Sequence, residues 1–169
     1  MTSPSRTYAL LLAGTCLWCT LILFPVAQVF QHPVISSIVI VTDRSFAAVC
    51  HQIDSRSFHV MGFRLSVCGR CASIYGGFLL GILFWRIAFR RPSRNIVIWW
   101  CAALFPMLVD VILDAAGICA GGIATRAVTG AWFGIIAGVI VTPLFIQAWT
   151  EISSANVHQP KRAYESATE

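Results

Sequence analysis

CHQIDSRSFHVMGFRLSVCGRCASIYGG, residues 50–77, sets a polar loop rich in cysteine and arginine directly against the start of a long apolar run. It carries a Cys50-His51-Gln52 triplet, a C-x-x-C pair at Cys68 and Cys71, and Arg56, Arg64 and Arg70. The rest of the chain is far more apolar. Of its 169 residues 57% are hydrophobic and 11% charged, with mean hydropathy +0.77. A soluble domain carries about 25% charged residues. The composition therefore predicts an all-α polytopic membrane helix bundle, one domain over residues 1–150, that holds the Cys/His loop 50–71 at one membrane face.

Working outward, residues 72–89 read as a span with Gly76, Gly77 and Gly81 at close-packing spacing, closed by Arg86, Arg90, Arg91 and Arg94. A further span at 95–118 contains Pro106 and two acids, Asp110 and Asp114, and a glycine-rich loop with Cys119 and Arg126 follows. The last span, 129–149, holds Gly130, Gly134 and Gly138, two overlapping G-x-x-x-G units of the kind that let helix backbones approach within a chain or between two copies. Residues 8–30 form an uncharged apolar run long enough to cross the roughly 30 Å hydrocarbon core. A signal peptide's apolar core is only about 7–15 residues, so this run reads as a retained first span. Four spans result.

Residues 33–49 are apolar but broken by Pro33, Ser36, Ser37, Asp43 and Arg44, which suits an interfacial or re-entrant helix. Asp43 and Ser45 are expected to cap a turn that carries Cys50. Within the loop, a short hairpin is expected across Phe58–Leu65. The tail, 151–169, is polar and expected to lack fixed structure.

The formal charge of +5 does not imply nucleic-acid binding, because the basic residues sit at span ends and no nucleic-acid motif is present. With four spans, both termini and the 86–94 loop share one side, which collects seven of the twelve basic residues. The positive-inside tendency assigns that side to the cytoplasm of a plasma (inner) membrane and turns the Cys/His loop outward.

Three separated stretches then place ionisable groups at a similar depth: Cys68 and Cys71, Asp110 and Asp114, and Arg126. The aspartates are four apart and share a helix face. Buried acids in a membrane need partners, and Arg126, Arg70 or Arg64 could supply them. C-x-x-C with two more donors is a zinc pattern, because thiolates three positions apart on a turn reach adjacent tetrahedral corners. Zinc or another thiophilic metal is the first expectation, on Cys68, Cys71 and either Cys50 or His51, with His59 or an aspartate as fourth ligand. Adjacent residues rarely point the same way, so Cys50 and His51 are not both expected on one ion. The alternative is thiol–disulfide exchange between Cys68 and Cys71, since a helix N-terminus and Arg70 both favour a thiolate. A third reading uses Asp110, Asp114 and Arg126 to carry or handle a polar or phosphate-bearing lipid. Cys16 and Cys19 share the C-x-x-C spacing but lie inside an apolar span and read as small hydrophobes.

Cys50-His51-Gln52, Arg56-Ser57-Phe58, Gly62, Cys68-Gly69-Arg70-Cys71, Ile74-Tyr75-x-Gly77, Pro106-Met107-x-x-Asp110 and Arg126-x-x-Thr129-Gly130 together resemble a family of small bacterial and archaeal membrane proteins of unknown function. The resemblance covers about residues 45–138, with Val111 standing where glycine is usual in that family. It implies an integral membrane fold and marks these residues as motif positions. No activity follows from it.

The outward C-x-x-C at the start of the second span also resembles, in layout, the quinone-linked disulfide-generating membrane oxidoreductases, a resemblance that implies a quinone as the electron acceptor for Cys68 and Cys71. Their second external cysteine pair has no counterpart here.

Overall fold

A computed structural model describes residues 3–88, 95–118 and 122–165. Arg90, Arg91, Arg94 and Cys119 lie outside the described residues.

Helix α1 (Pro4–Leu23) opens with proline in its first turn, where the missing N–H costs nothing. At Pro25 the regular helix gives way to a 3₁₀ segment, Phe24–Phe30, so the 8–30 run stays helical but changes its winding. Gln31, in the left-handed conformation, ends it. Helix α2 (Pro33–Ala47) follows, with the His32 side chain accepting the Val34 N–H. At 15 residues it is too short to span a bilayer. Asp43 and Ser45 lie in its last turns rather than capping a new one, and the Ser45 hydroxyl donates back to Val41 O. The helix is already nucleated at Pro33, so those residues extend it.

After a single 3₁₀ turn (Asp54–Arg56) the chain forms a hairpin, β1 (Ser57–Val60) antiparallel to β2 (Phe63–Cys68). Its two-residue turn is Met61-Gly62, both at positive φ (53° and 83°), the twist that suits tightly paired strands. The strands extend the expected Phe58–Leu65 hairpin by one residue at its start and three at its end.

Helix α3 (Gly69–Ala88) starts directly after β2, so Cys71 lies in its first turn. Helices α4 (Ile96–Ala115) and α5 (Ile123–Glu165) complete the bundle. Among the described residues, three segments are long and apolar enough to cross a membrane: Pro4–Phe30, Ile96–Ala115 and Ile123–Ser153. The apolar stretch of α3, Gly69–Trp85, is shorter, but α3 lies along α5 over several turns and so shares its depth. Residues 151–165 continue α5 in place of the expected structureless tail. Extending an existing helix needs no new nucleus, and Glu151 and Ala155 favour the helical state.

The centre of the fold is the α3–α5 contact. Gly130 faces the Arg70 carbonyl, Gly134 that of Ile74, and Gly138 that of Phe78. Both helices advance four residues per step in the same direction, so they run parallel in register. From the α3 side, a Cβ on Gly77 would lie 3.0 Å from Ala131 Cα. The G-x-x-x-G residues are therefore occupied within one chain, not free for pairing with a second copy as the sequence also allowed.

Helix α4 runs antiparallel to α5, joined by the Trp132 indole donating to Ala102 O at 3.0 Å and by Ala103 packed on Ile136 and Ile140. Helix α1 runs antiparallel to α3, with Tyr8 donating to Ile82 O at 3.3 Å near one end and Cys19 close to Tyr75 O at the other. Trp18 stacks edge-on against both Phe46 and Tyr75, which ties α1 and α2 to the start of α3.

Candidate metal centre

Three parts of the chain converge above the N-terminus of α3. Cys50 follows the end of α2, and its placement depends on Gln52. That residue sits at φ 50°. Its side-chain amide donates to Asp43 O and Ser66 O, both at 2.8 Å, and its own carbonyl accepts from Arg64 at 3.0 Å. One glutamine thus clamps the end of α2 to β2. Cys68 ends β2, and its N–H donates to Cys50 Sγ at 3.2 Å. Cys71 comes one helical turn later.

The sulfur atoms of Cys50, Cys68 and Cys71 all lie within 4.8 Å of one another. Three sulfurs about 2.3 Å from one tetrahedral ion stand about 3.8 Å apart, so the cluster needs only a small contraction to hold one. Cys50 is buried, and the other two are half-buried. The Cys68 thiol is pulled down to about 5, chiefly by the hydrogen bond from the Cys71 thiol, with further help from the backbone N–H groups of Cys71 and Arg70 and from Cys50, and against burial, which raises it. The first turn of α3 therefore favours a thiolate at Cys68, the form that binds metal.

His51 lines the same cavity as the three cysteines but is outside the sulfur cluster. His59 points elsewhere, pairing with the exposed Asp54 at 3.2 Å. It does not supply a fourth ligand. Cys16 and Cys19 lie on α1, with Cys16 exposed on its surface and Cys19 partly buried against α3.

The acids are paired. Asp110 binds Arg70 and lies 3.5 Å from the Thr129 hydroxyl. Asp114 binds Arg126 and, at 3.5 Å, Arg56. Arg64 turns instead to Asp43 at 3.6 Å and Asp54 at 4.0 Å. Arg70 starts α3, Arg126 starts α5, and both aspartates lie near the end of α4, so these bridges join three helices at one level. The cavity is about 350 Å³, and Arg56, Arg70 and Arg126 line it together with the cysteines and His51.

A family model described as "Predicted membrane protein (DUF2085)" matches residues 50–140. The chain belongs to that family. The match begins at Cys50 and takes in all three clustered cysteines, the three cavity arginines and both aspartates, while α1 and α2 precede it. An uncharacterized protein of Methanocaldococcus jannaschii is 30% identical over 104 residues, which is 60% of this chain and 67% of that relative. No solved structure matches.

Within this DUF2085 chain, two residues gain roles that the sequence did not assign. Gln52 is the clamp described above, and Arg56 is a second partner for Asp114. Both belong to the quoted motifs. A glutamine at φ 50° and an arginine reaching across 58 positions leave no periodic signal, so spacing alone could not assign them.

Proposed function

We propose that this protein binds one thiophilic metal ion, zinc in the first instance, through Cys50, Cys68 and Cys71. The fourth position faces the arginine-lined cavity, within which His51 also lies. The observation that carries this reading is the convergence of three sulfurs from two separate stretches of chain, 18 residues apart at Cys50 and Cys68, onto one point. Three protein ligands with an open position is the pattern of ions that handle a substrate, whereas purely structural zinc takes four. The site lies at the end of the bundle opposite Tyr8 and Trp85. Among the described residues, Arg6 in α1 and Arg86 in α3 belong to the Tyr8 end, which supports cytoplasmic termini and an outward-facing site in the plasma membrane.

The test is metal analysis by mass spectrometry with free-thiol titration, on protein purified in mild detergent without chelator. The expected result is about one ion per chain in the unmodified protein and in Cys16→Ser, falling to background in Cys68→Ser. No metal, with Cys68 and Cys71 joined by a reducible bond, would overturn the reading.

That outcome would favour the second reading, thiol–disulfide exchange. Two observations support it: the lowered Cys68 beside a hydrogen-bonded Cys71 at a helix N-terminus, and an apolar groove of about 530 Å³ reaching Trp18 and Tyr75. In that chemistry the two thiols become a disulfide, and a quinone in the groove takes the two electrons and two protons as quinol. A carrier role for Asp110 and Asp114 has less support, because arginines already engage both carboxylates.

A further inference from the structure

The cavity beside the sulfur cluster has an asymmetry that ion pairing alone does not require. Arg56, Arg70 and Arg126 line it, whereas their partners Asp110 and Asp114 do not. The carboxylates engage guanidinium groups that line the cavity without lining it themselves. A guanidinium has five N–H donors in a planar fork. Arg70 Nε is buried without a hydrogen-bond partner among the described residues. A buried donor without a partner, on one of three arginines that line a single cavity, calls for an anion.

We propose that this cavity binds a phosphate-type oxyanion, with Arg56, Arg70 and Arg126 as its donors. Arginine forks match phosphate oxygens in pairs, which a point-charge lysine does not. The cavity volume is at the small end of ligand sites, right for a phosphate-sized group and its waters. The inference rests on the metal reading in one respect, that the bound anion faces the ion's open position. The anion has two possible sources, inorganic phosphate or a lipid phosphate monoester. An apolar groove suited to a lipid chain lies one turn away: Ile74 and Tyr75, one turn beyond Arg70 and Cys71, line it between α1, α3 and α5.

The test uses the full chain in non-ionic detergent, in phosphate-free buffer at fixed ionic strength, with metal content measured on the same sample. Calorimetric titration is done with sodium phosphate and, separately, with short-chain phosphatidic acid in phosphatidylcholine micelles. Saturable binding is expected for at least one probe, and tighter binding of phosphatidic acid assigns the lipid source. Arg56→Gln should weaken it about tenfold, the factor carried by one charge-assisted hydrogen bond. Arg56 is nearly half exposed, so this variant keeps the fold, and Asp114 retains Arg126. Arg56→Lys should fall between the two. Cys68→Ser, which loses the ion, should keep phosphate binding that still depends on Arg56. If a sample holding about one ion per chain binds neither probe, or if Arg56→Gln binds as tightly as the unmodified protein, the anion site is overturned and the metal site stands. Binding that depends on Arg56 in a sample without metal sustains the anion site and removes the ion from it.

Discussion

Gly134→Leu is expected to leave no folded protein in detergent, while Gly76→Ala on the facing helix is expected to be close to neutral. The two glycines differ in what surrounds them. A Cβ on Gly134 would fall inside the Ile74 carbonyl oxygen and 2.8 Å from Phe78 N, so backbone, not a flexible side chain, would have to move. At Gly76 nothing lies within 4 Å of the added carbon. Between membrane helices there is no hydrophobic driving force, because lipid is as apolar as leucine, and close backbone contact supplies the association energy instead. Even the single methyl of Gly134→Ala should cost about 1–3 kcal/mol by overpacking, and leucine should exceed that. Total stabilities are about 5–15 kcal/mol, so the loss is decisive. Fluorescence-detected size exclusion and thermal melting in detergent measure both variants. A stable, monodisperse Gly134→Leu protein would mean that α3 and α5 do not meet along this seam.

The second large effect concerns the ion pairs. Asp110→Asn and Arg70→Met are each expected to destabilise the bundle by about 3–5 kcal/mol, because each leaves its partner charged and unpaired in a largely buried site. The side chains are only 11% and 18% exposed, so solvent cannot compensate. The double variant Arg70→Met/Asp110→Leu should recover much of that loss, since an apolar pair of similar volume removes both desolvation penalties. The thermal midpoints of the four proteins in the cycle decide the point. Losses that simply add would show that Arg70 and Asp110 act independently, contrary to the bridge. The same double variant should bind phosphate more weakly despite its recovered stability, because it lacks the Arg70 fork.

How far the sequence reached depended on the kind of signal involved. The apolar helices were legible because a run such as residues 8–30 has one physical meaning at that length and hydropathy. The hairpin was legible from the polar, glycine-bearing break around Gly62. Asp110 and Asp114, four apart, could be assigned to one face and expected to find arginines. Which arginines they find was not legible. Arg64 is as close in sequence as Arg56 or Arg70, yet the strand that carries it turns it toward Asp43. The parallel register of α3 on α5 was equally hidden: the glycines announce close approach without naming a partner, and only the fold shows that Gly130, Gly134 and Gly138 spend it on α3. Asp43 and Ser45 were misread as caps because such residues favour helix starts, whereas here Pro33 had already begun the helix ten residues earlier.

X-ray absorption at the zinc edge, on protein purified without chelator, tests the central claim most directly. The account predicts a first shell of three sulfurs at about 2.3 Å and one oxygen or nitrogen at about 2.0–2.1 Å, reduced to background in Cys50→Ser/Cys68→Ser. A shell with four sulfurs would contradict the open position, and protein without zinc or any other bound metal would contradict the metal site itself.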